Sequence, residues 1–163
     1  MFGQYNSEST PRRLRSFKKR GKQAIGRSRG GLTTKIHMVT ASAKFAVSFS
    51  LSSGSANDSP QGIKLLHFTP KVTDKQFILM DRAYAGKRLR TTAVELGYEP
   101  VVPPKRNFKE QWDYDKEFYK KRNEVERFFR RLKRFRRIFT RYDKLDVVFV
   151  AFILFAMIFD SLV

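Results

Sequence analysis

Residues 76–102, QFILMDRAYAGKRLRTTAVELGYEPVV, contain the pattern that decides the fold class. The segment opens with a compact apolar run, which is typical of a strand buried on both faces. Residues 87–96 are predicted to form a helix that ends at Gly97, because glycine is favoured directly after a helix. A second short strand is predicted at residues 100–102. This alternation of strands and helices predicts an α/β domain with a mixed sheet.

The segments on either side supply the rest of the predicted sheet and its helices. Residues 33–40 are rich in β-branched and apolar residues, and residues 45–51 alternate with a period of two, so together they predict a hairpin. Ser59 followed by Pro60 predicts the start of a short helix. The apolar run at residues 147–159 is shorter than the roughly 20 residues that span a bilayer. We therefore expect a buried C-terminal helix, with a membrane anchor as the alternative.

The composition excludes several classes of protein and indicates a polyanionic partner. The 163 residues suffice for about one domain, and 41% of them are hydrophobic. The absence of cysteine excludes disulfide-stapled miniproteins, thiol catalysis and iron–sulfur clusters. Lys and Arg number 34 against 15 Asp and Glu, a net charge of +19 that is most typical of nucleic-acid-binding proteins. His37 lies in a predicted strand away from other metal-ligating residues, so we expect a hydrogen-bonded structural role for it.

Residues 116–139 predict one long helix with three different faces. At 100° per residue, Tyr119, Arg122, Glu126 and Lys133 fall on a polar stripe about 60° wide. Apolar residues, mostly phenylalanines, form a core face. The third face, here called the arginine face, consists of Arg127, Arg130, Arg131, Arg134 and Arg137. Because it has almost no acids to balance it, we expect it to contact nucleic-acid phosphates, with a solvated surface as the alternative.

Two carboxylates are candidates for chemistry. Asp81 follows a buried strand, at the end of the strand where ligands of open α/β sheets gather; the alternative is that it caps a turn. Glu126 lies at the edge of the core face, and its alternative role is a salt bridge with Arg122. Two carboxylates suit Mg²⁺, which prefers oxygen ligands. Two such ions about 4 Å apart can hold the attacking and leaving oxygens of a phosphoryl displacement.

Four parts of the sequence resemble insertion-sequence transposases of the DDE class, in the superfamily of insertion sequences four and five. They are residues 26–37 (GRSRGGLTTKIH), residues 56–60 (ANDSP), residues 79–84 (LMDRAY) and the spaced signature Tyr119, Arg122, Glu126 and Lys133. The resemblance implies an RNase H-like core in which Asp81 and Glu126 are the second and third catalytic carboxylates. It implies a two-metal site for Mg²⁺, with Mn²⁺ as a substitute. It also implies that the Tyr, Arg and Lys of the signature contact DNA near the cleaved strand.

The sequence departs from this family at the first catalytic carboxylate. In the family, an Asp in a context such as Val-Asp-Ser-Thr precedes the segment equivalent to residues 26–37, on the first and central strand. Here the one acid before Asp58 is Glu8, in the sequence SEST, and its polar neighbours do not predict a strand. We therefore expect residues 1–25 to be a basic, irregular segment. Residues 26–163 would be the partial catalytic domain of a truncated or frame-disrupted copy, with a doubtful central strand and Glu8 as a weak third metal ligand.

These expectations combine into a function in DNA transposition. The fold is expected to be α/β, an RNase H-like mixed sheet flanked by helices. The chain is expected to be part of a core for metal-dependent DNA strand cleavage and strand transfer, and to be inactive alone. Arg130, Arg134 and Arg137 are expected to bind DNA together with the signature residues. The expected partners are transposon ends and target DNA, on which the chain would oligomerise, in the bacterial cytoplasm at the nucleoid, without stable membrane association. The alternative is a non-enzymatic basic nucleic-acid-binding protein, which explains the charge but not the signature spacing.

Overall fold

The computed structural model describes residues 1–9, 21–71 and 76–163. The strands are β1 (Phe2–Ser9), β2 (Gly26–Ser28), β3 (Gly31–Thr40), β4 (Ala46–Ser53), β5 (Gln76–Leu79), β6 (Tyr98–Val101) and β7 (Thr140–Arg141). The α-helices are α1 (Asp58–Phe68), α2 (Lys87–Glu95), α3 (Lys116–Tyr119), α4 (Asn123–Leu132), α5 (Arg136–Phe139) and α6 (Asp146–Leu162). Two 3₁₀ turns, Arg82–Tyr84 and Lys120–Arg122, precede α2 and α4. These elements confirm the predicted mixed α/β fold.

Strand β1 lies in the interior of the larger sheet. It pairs antiparallel with β3, with Tyr5 opposite Ile36, and parallel with β7, with Ser9 opposite Arg141. Strands β2 and β4 both pair antiparallel with β3, and the β3–β4 pairing confirms the predicted hairpin. Strands β5 and β6 form a separate parallel pair. Parallel and antiparallel pairs therefore both occur, as a mixed fold requires.

The presence of β1 corrects the expectation of a doubtful first strand and, over residues 2–9, the expectation of an irregular segment. The rest of that expected segment lies mostly at residues 10–20, outside the described residues. Phe2–Ser9 forms a strand despite its polar composition, because backbone hydrogen bonds to neighbouring strands do not depend on apolar side chains. Its small residue Gly3 also allows α4 to approach closely. A Cβ atom at Gly3 would lie 2.9 Å from Val125 Cγ2 and 3.0 Å from Phe129 Cε2. Strand propensity alone therefore does not predict β1, because packing against α4 requires a small residue at Gly3, and glycine is a poor strand former.

Both faces of β3 are buried, so this strand separates two apolar cores. Ile36 and Met38 point to one face and Val39 points to the other, as alternation along a strand requires. The first core also contains Val125, Phe128, Leu132, Phe149 and Ile153, from α4 and α6. The second also contains Leu65, Leu66, Ile78, Met80, Leu89 and Ala93, from α1, β5 and α2 and the residue after β5. The layers thus fix the end of β5 relative to the larger sheet.

His37 is buried on the second face and is a hydrogen-bonded structural residue, as predicted. Its Nδ1 lies 2.7 Å from Tyr84 Oη, and its Nε2 lies 2.7 Å from Ser52 Oγ. Burial lowers the pKa of His37 to about 4, so the imidazole is neutral at pH 7. Through Tyr84, this histidine connects β3 to the 3₁₀ turn that directly follows Asp81.

The prediction of one long helix over residues 116–139 is wrong. The 3₁₀ turn Lys120–Arg122 separates α3 from α4, and α4 ends at Leu132. Phe135 has extended dihedral angles, with φ −79° and ψ 108°, so the chain changes direction before α5. This change allows β7, which follows α5, to pair with β1. A helical wheel cannot reveal such a break, because the apolar period continues through it.

Helix α6 is buried along one stripe only. Phe149, Ile153 and Ala156 are buried, whereas Leu154 and Phe155 are exposed. The prediction of a buried C-terminal helix therefore holds for one face of α6 and is wrong for the other. In the described part of the chain, no helix is long and apolar enough to cross a bilayer.

Candidate functional site

Asp81 lies where β5 ends, at the start of the 3₁₀ turn Arg82–Tyr84. The N–H of Met80 donates to the carbonyl of Val101 at 3.0 Å, which continues the β5–β6 pairing up to Asp81. The Asp81 carbonyl accepts from the N–H of Tyr84 at 2.8 Å, but the Asp81 side chain makes no capping hydrogen bond to the turn. The side chain is 40% exposed. Its carboxylate is therefore accessible to a ligand and does not serve as a turn cap.

One guanidinium group contacts both candidate carboxylates. Nη1 of Arg122 lies 3.9 Å from Oδ2 of Asp81, and Nη2 of Arg122 donates to Oε1 of Glu126. Glu126 is 44% exposed and Arg122 is 21% exposed. The salt bridge that was the alternative role of Glu126 is thus formed, and it does not remove Glu126 from Asp81. We call Asp81 and Glu126 the carboxylate pair.

Tyr119 completes the surroundings of Arg122. The Arg122 Cζ lies 5.6 Å from the centroid of the Tyr119 ring. Burial raises the pKa of the Tyr119 phenol, so its hydroxyl stays protonated at pH 7 and can donate a hydrogen bond. Burial alone lowers the pKa of Arg122, but Tyr119, Glu126 and Asp81 outweigh burial and raise it. The centre of the site is therefore a permanent cation between two carboxylates.

Tyr119, Arg122 and Glu126 lie on one helical segment that runs from α3 through the 3₁₀ turn into α4. Asp115 caps α3, because its Oδ1 accepts from the N–H of Phe118 at 2.8 Å. The 3₁₀ turn Lys120–Arg122 keeps helical backbone angles and leads directly into α4. Val125 is buried against β1, so the next residue, Glu126, lies at the edge of the core beside Arg122. The geometry of the site thus depends on how α4 packs.

The fourth signature residue, Lys133, lies away from the carboxylate pair. It is exposed at the C-terminal end of α4, where its N–H donates to the carbonyl of Phe129 at 3.0 Å. Seven residues separate it from Glu126, which is about 10 Å along a helix axis. The structure therefore brings Asp81, Tyr119, Arg122 and Glu126 together and leaves Lys133 about two helical turns away.

The arginine face is divided between free and paired side chains. Arg127, Arg131 and Arg137 each form a salt bridge with an acid of this chain. Arg130 and Arg134 are exposed and form no salt bridge within the residues that the structure describes. Two of the three arginines predicted to bind DNA, Arg130 and Arg134, are thus available to phosphates, whereas Arg137 is engaged within the chain.

A third carboxylate does not join the pair within the described ranges. No three His, Cys, Asp or Glu side chains lie close enough there to hold a metal ion together. The backbone of Glu8 belongs to β1, in register with Thr33 and Thr140. Helix α4 contacts β1 at Gly3, five residues earlier, which is roughly 17 Å along a strand. Glu8 is therefore at the opposite end of β1 from the contact with α4.

The donor set of the carboxylate pair fits one divalent ion. Mg²⁺ keeps several waters and often takes only one or two protein carboxylates. Asp81 and Glu126 supply two, both partly exposed. Arg122 offsets one of their two negative charges, and a metal ion that binds both carboxylates would displace at least one of its ion pairs.

Comparison with known proteins decides which family this chain belongs to. Residues 7–159 match the family described as "Transposase DDE domain". The chain is a member of the transposase DDE domain family. It is 30% identical over 125 residues to a Brucella ovis protein named "Putative transposase for insertion sequence element IS6501". The aligned region covers 75% of this chain and 92% of that protein. No solved structure matches the chain.

Membership of the transposase DDE domain family confirms the predicted resemblance to insertion-sequence transposases. It assigns the chain to DNA transposition, with DNA as the partner and a divalent metal as the cofactor that the family uses. The match to the family begins at Ser7, inside residues 1–25, which were expected to form a basic, irregular segment before the catalytic domain.

The sequence did not predict how the site residues are joined. Nothing in the spacing between Asp81 and Arg122 indicates that the guanidinium contacts both carboxylates. The link from Tyr84 to His37 was also missed. Its one signal is that Tyr84 lies three residues after Asp81, in the stretch LMDRAY that resembles the family.

Proposed function

We propose that this transposase-family chain forms part of an RNase H-like core for metal-dependent DNA strand cleavage and strand transfer. The observation that carries this proposal is the carboxylate pair at the end of β5, with Arg122 between its members and Tyr119 beside them. The antiparallel β3–β4 hairpin next to β1 and the parallel β5–β6 pair support an RNase H-like arrangement.

Each residue of the site has a distinct role in this proposal. Asp81 and Glu126 hold Mg²⁺, or Mn²⁺ in its place, and Arg122 leaves them to hold a DNA phosphate with its planar guanidinium. A divalent ion held by this pair would polarise a phosphoryl oxygen of the DNA. Tyr119 packs beside the strand that is cut, and Lys133 holds the backbone two helical turns away. The arginine face, chiefly Arg130 and Arg134, follows the phosphates of transposon ends or target DNA, on which the chain oligomerises at the nucleoid.

The chain alone is expected to be catalytically incomplete. A two-metal displacement requires a carboxylate that bridges or brackets both ions. Glu8, the weak third candidate, lies roughly 17 Å along β1 from Gly3, where α4 is packed. Removing one member of a cooperative catalytic unit costs on the order of 10³-fold or more in rate. The proposal is therefore a transposase core that binds metal and DNA but does not turn over alone.

Metal binding tests the carboxylate pair directly. The wild-type chain is expected to bind Mn²⁺, measured by electron paramagnetic resonance. Asp81→Asn and Glu126→Gln are each expected to weaken that binding by tenfold or more, about 1.4 kcal/mol, because each removes one of two charged ligands. The control is Glu110→Gln, an exposed acid outside the site that should leave the affinity unchanged. Equal Mn²⁺ affinity in all four proteins would show that Asp81 and Glu126 are not the metal ligands.

Strand cleavage tests the incompleteness of the chain. No nicking of supercoiled plasmid above background is expected with either Mg²⁺ or Mn²⁺, because the third carboxylate is missing from the site. Asp81→Ala and Glu8→Ala serve as companions. Nicking by the wild type that disappears in both variants would mean that Glu8 acts as the third carboxylate, and the inactive reading would then be abandoned.

One observation favours the alternative function, a non-enzymatic basic nucleic-acid-binding protein. In the described part of the chain, the site contains two carboxylates, and one arginine forms ion pairs with both of them. This alternative predicts salt-dependent DNA binding that is indifferent to Mn²⁺ and to Asp81→Asn. The metal titration above therefore separates the two functions.

A further inference from the structure

A cavity adjoins the 3₁₀ turn that follows Asp81. A cavity of about 600 Å³ is lined by residues that include Asn57, Ser59, Lys64, Ala83, Arg88 and Lys105. Its volume is within the range of roughly 300–1,000 Å³ that is typical of ligand pockets. Ala83 lies two residues after Asp81, so its Cα is no more than about 8 Å from that of Asp81. A ligand in this cavity would therefore lie next to the proposed site of chemistry.

The cavity carries an excess of positive charge. Lys64 comes from α1, Arg88 from α2 and Lys105 from the loop after β6, and no salt bridge engages them within the described ranges. An acid also lines the cavity, Asp58, but its Oδ1 lies 2.8 Å from Nζ of Lys35, and both side chains are largely buried. The charge of Asp58 is thus already matched, and the three cations are not.

Two helix N-termini add to this positive potential. Helix α1 begins at Asp58 with Asn57 as its N-cap, two residues before the N-cap predicted at Ser59, and α2 begins after Gly86. Neither N-cap residue makes a side-chain capping hydrogen bond. A Cβ atom at Gly86 would lie 3.2 Å from Ser59 Oγ, so the two helix starts are adjacent. Backbone N–H groups at a helix start carry partial positive charge and commonly bind anions.

We propose that this cavity binds a phosphodiester of the DNA strand that passes the carboxylate pair. The inference rests on the proposed function, because it takes DNA as the ligand. Three cations and two helix starts match a phosphate. Among the described residues that line the cavity there is no aromatic ring on which a base could stack, so the backbone rather than a base is the group that fits.

The test removes two of the cations and compares DNA binding over a range of salt concentrations. The variant Lys64→Gln/Arg88→Gln is measured beside Lys64→Arg/Arg88→Lys, which keeps the charge. The control is Lys44→Gln/Lys109→Gln, which removes two exposed cations outside the cavity. Fluorescence anisotropy with labelled DNA gives the slope of log Kd against log salt concentration, and circular dichroism verifies that each variant is folded. In a second arm, inorganic phosphate is titrated into the wild type while the amide NMR signals of Ser59 and Arg88 are followed.

We expect the slope to fall by about 1 in Lys64→Gln/Arg88→Gln, since the one phosphate contact that is lost is worth about 0.9. The slope should stay near the wild-type value in the charge-keeping variant and in the control. Phosphate should shift the amide signals of Ser59 and Arg88. An unchanged slope in the first variant overturns the inference: with a phosphate-induced shift the cavity binds free phosphate only, and without one it is no phosphate site. If the wild type still binds Mn²⁺ and DNA, the proposed function stands even when the cavity proves not to bind DNA phosphate. Failure of the cavity proposal can therefore be distinguished from failure of the proposed function.

Discussion

Arg122 holds two carboxylates that would otherwise repel each other. Both partners are partly exposed, so each of these ion pairs contributes at most about 1 kcal/mol. The guanidinium can therefore leave one or both carboxylates at small cost. In our proposal, a metal ion takes its place between Asp81 and Glu126, and Arg122 turns to a DNA phosphate. The metal-bound pair of our proposal and the structure of the isolated chain then differ by a movement of the Arg122 side chain.

At the same scale, His37 makes the stability of the chain depend on pH. Its folded-state pKa is lowered from 6.5 to about 4, so the unfolded chain binds a proton more readily than the folded chain between these values. Stability contributed by neutral His37 is therefore complete above pH 6.5 and is lost as pH falls towards 4, by about 3 kcal/mol in all. Urea unfolding at several pH values is the measurement. His37→Gln cannot titrate, so the wild type should lose about 3 kcal/mol more than this variant over that range; parallel pH profiles would contradict the prediction.

At the scale of elements, the contact between β1 and α4 positions the carboxylate on α4. Gly3 is the point of closest approach, and Val125, which it faces, directly precedes Glu126. A strand with a large side chain at this position would push α4 away from the sheet. The polar sequence of β1 is thus compatible with a central strand because one small residue leaves room for a helix.

Gly3→Ala tests this contact. The added Cβ would lie 2.9 Å from Val125 Cγ2, so α4 must shift, and we expect a loss of about 1–2 kcal/mol in the free energy of unfolding. The same shift should weaken Mn²⁺ binding, because Glu126 moves with α4. Gly30→Ala is the matched control, because a Cβ there meets no atom within 4 Å. Equal stability of the two variants in urea unfolding would show that α4 does not pack on β1 at Gly3.

At the scale of the whole molecule, the net charge of +19 is large, but not all of it is available to DNA. Arg141 is an example: it is completely buried, and its guanidinium pairs with Asp146 at 2.8 Å and bonds to Thr34 Oγ1 at 2.8 Å. This arginine joins β7, β3 and the start of α6, and has no access to a phosphate. The count of basic residues therefore overstates the number of phosphates that the chain can contact.

The arginine face allows this distinction to be measured. Arg130→Gln/Arg134→Gln removes two exposed, unpaired cations, and the slope of log Kd for duplex DNA against log salt should become shallower by about 1.8. Arg127→Gln/Arg137→Gln removes two cations that pair with Glu124 and Asp143, so its effect should be clearly smaller. Anisotropy titrations over a range of salt give both slopes. If the slope decreases equally in the two variants, then paired and unpaired arginines contribute equally to DNA binding. The arginine face would in that case act only through its total charge.

The sequence by itself determined the fold class, the β3–β4 hairpin, strand β5 and helix α2, because each has a strong local signal: period-two alternation, an apolar run or a glycine stop. It also indicated Asp81 and the spaced signature, since side-chain chemistry and spacing are present in the chain itself.

The tertiary structure alone decided what depends on contacts between distant residues. The polar residues of β1 form a strand because neighbouring strands supply its hydrogen bonds and Gly3 admits α4. Contacts between elements also account for three other features. They are the break in the predicted long helix, the pairing of Arg137 with Asp143, and the guanidinium shared by Asp81 and Glu126. No local pattern encodes these features, because backbone pairing and charge neutralisation depend on which elements meet, and that is fixed only when the two cores are packed.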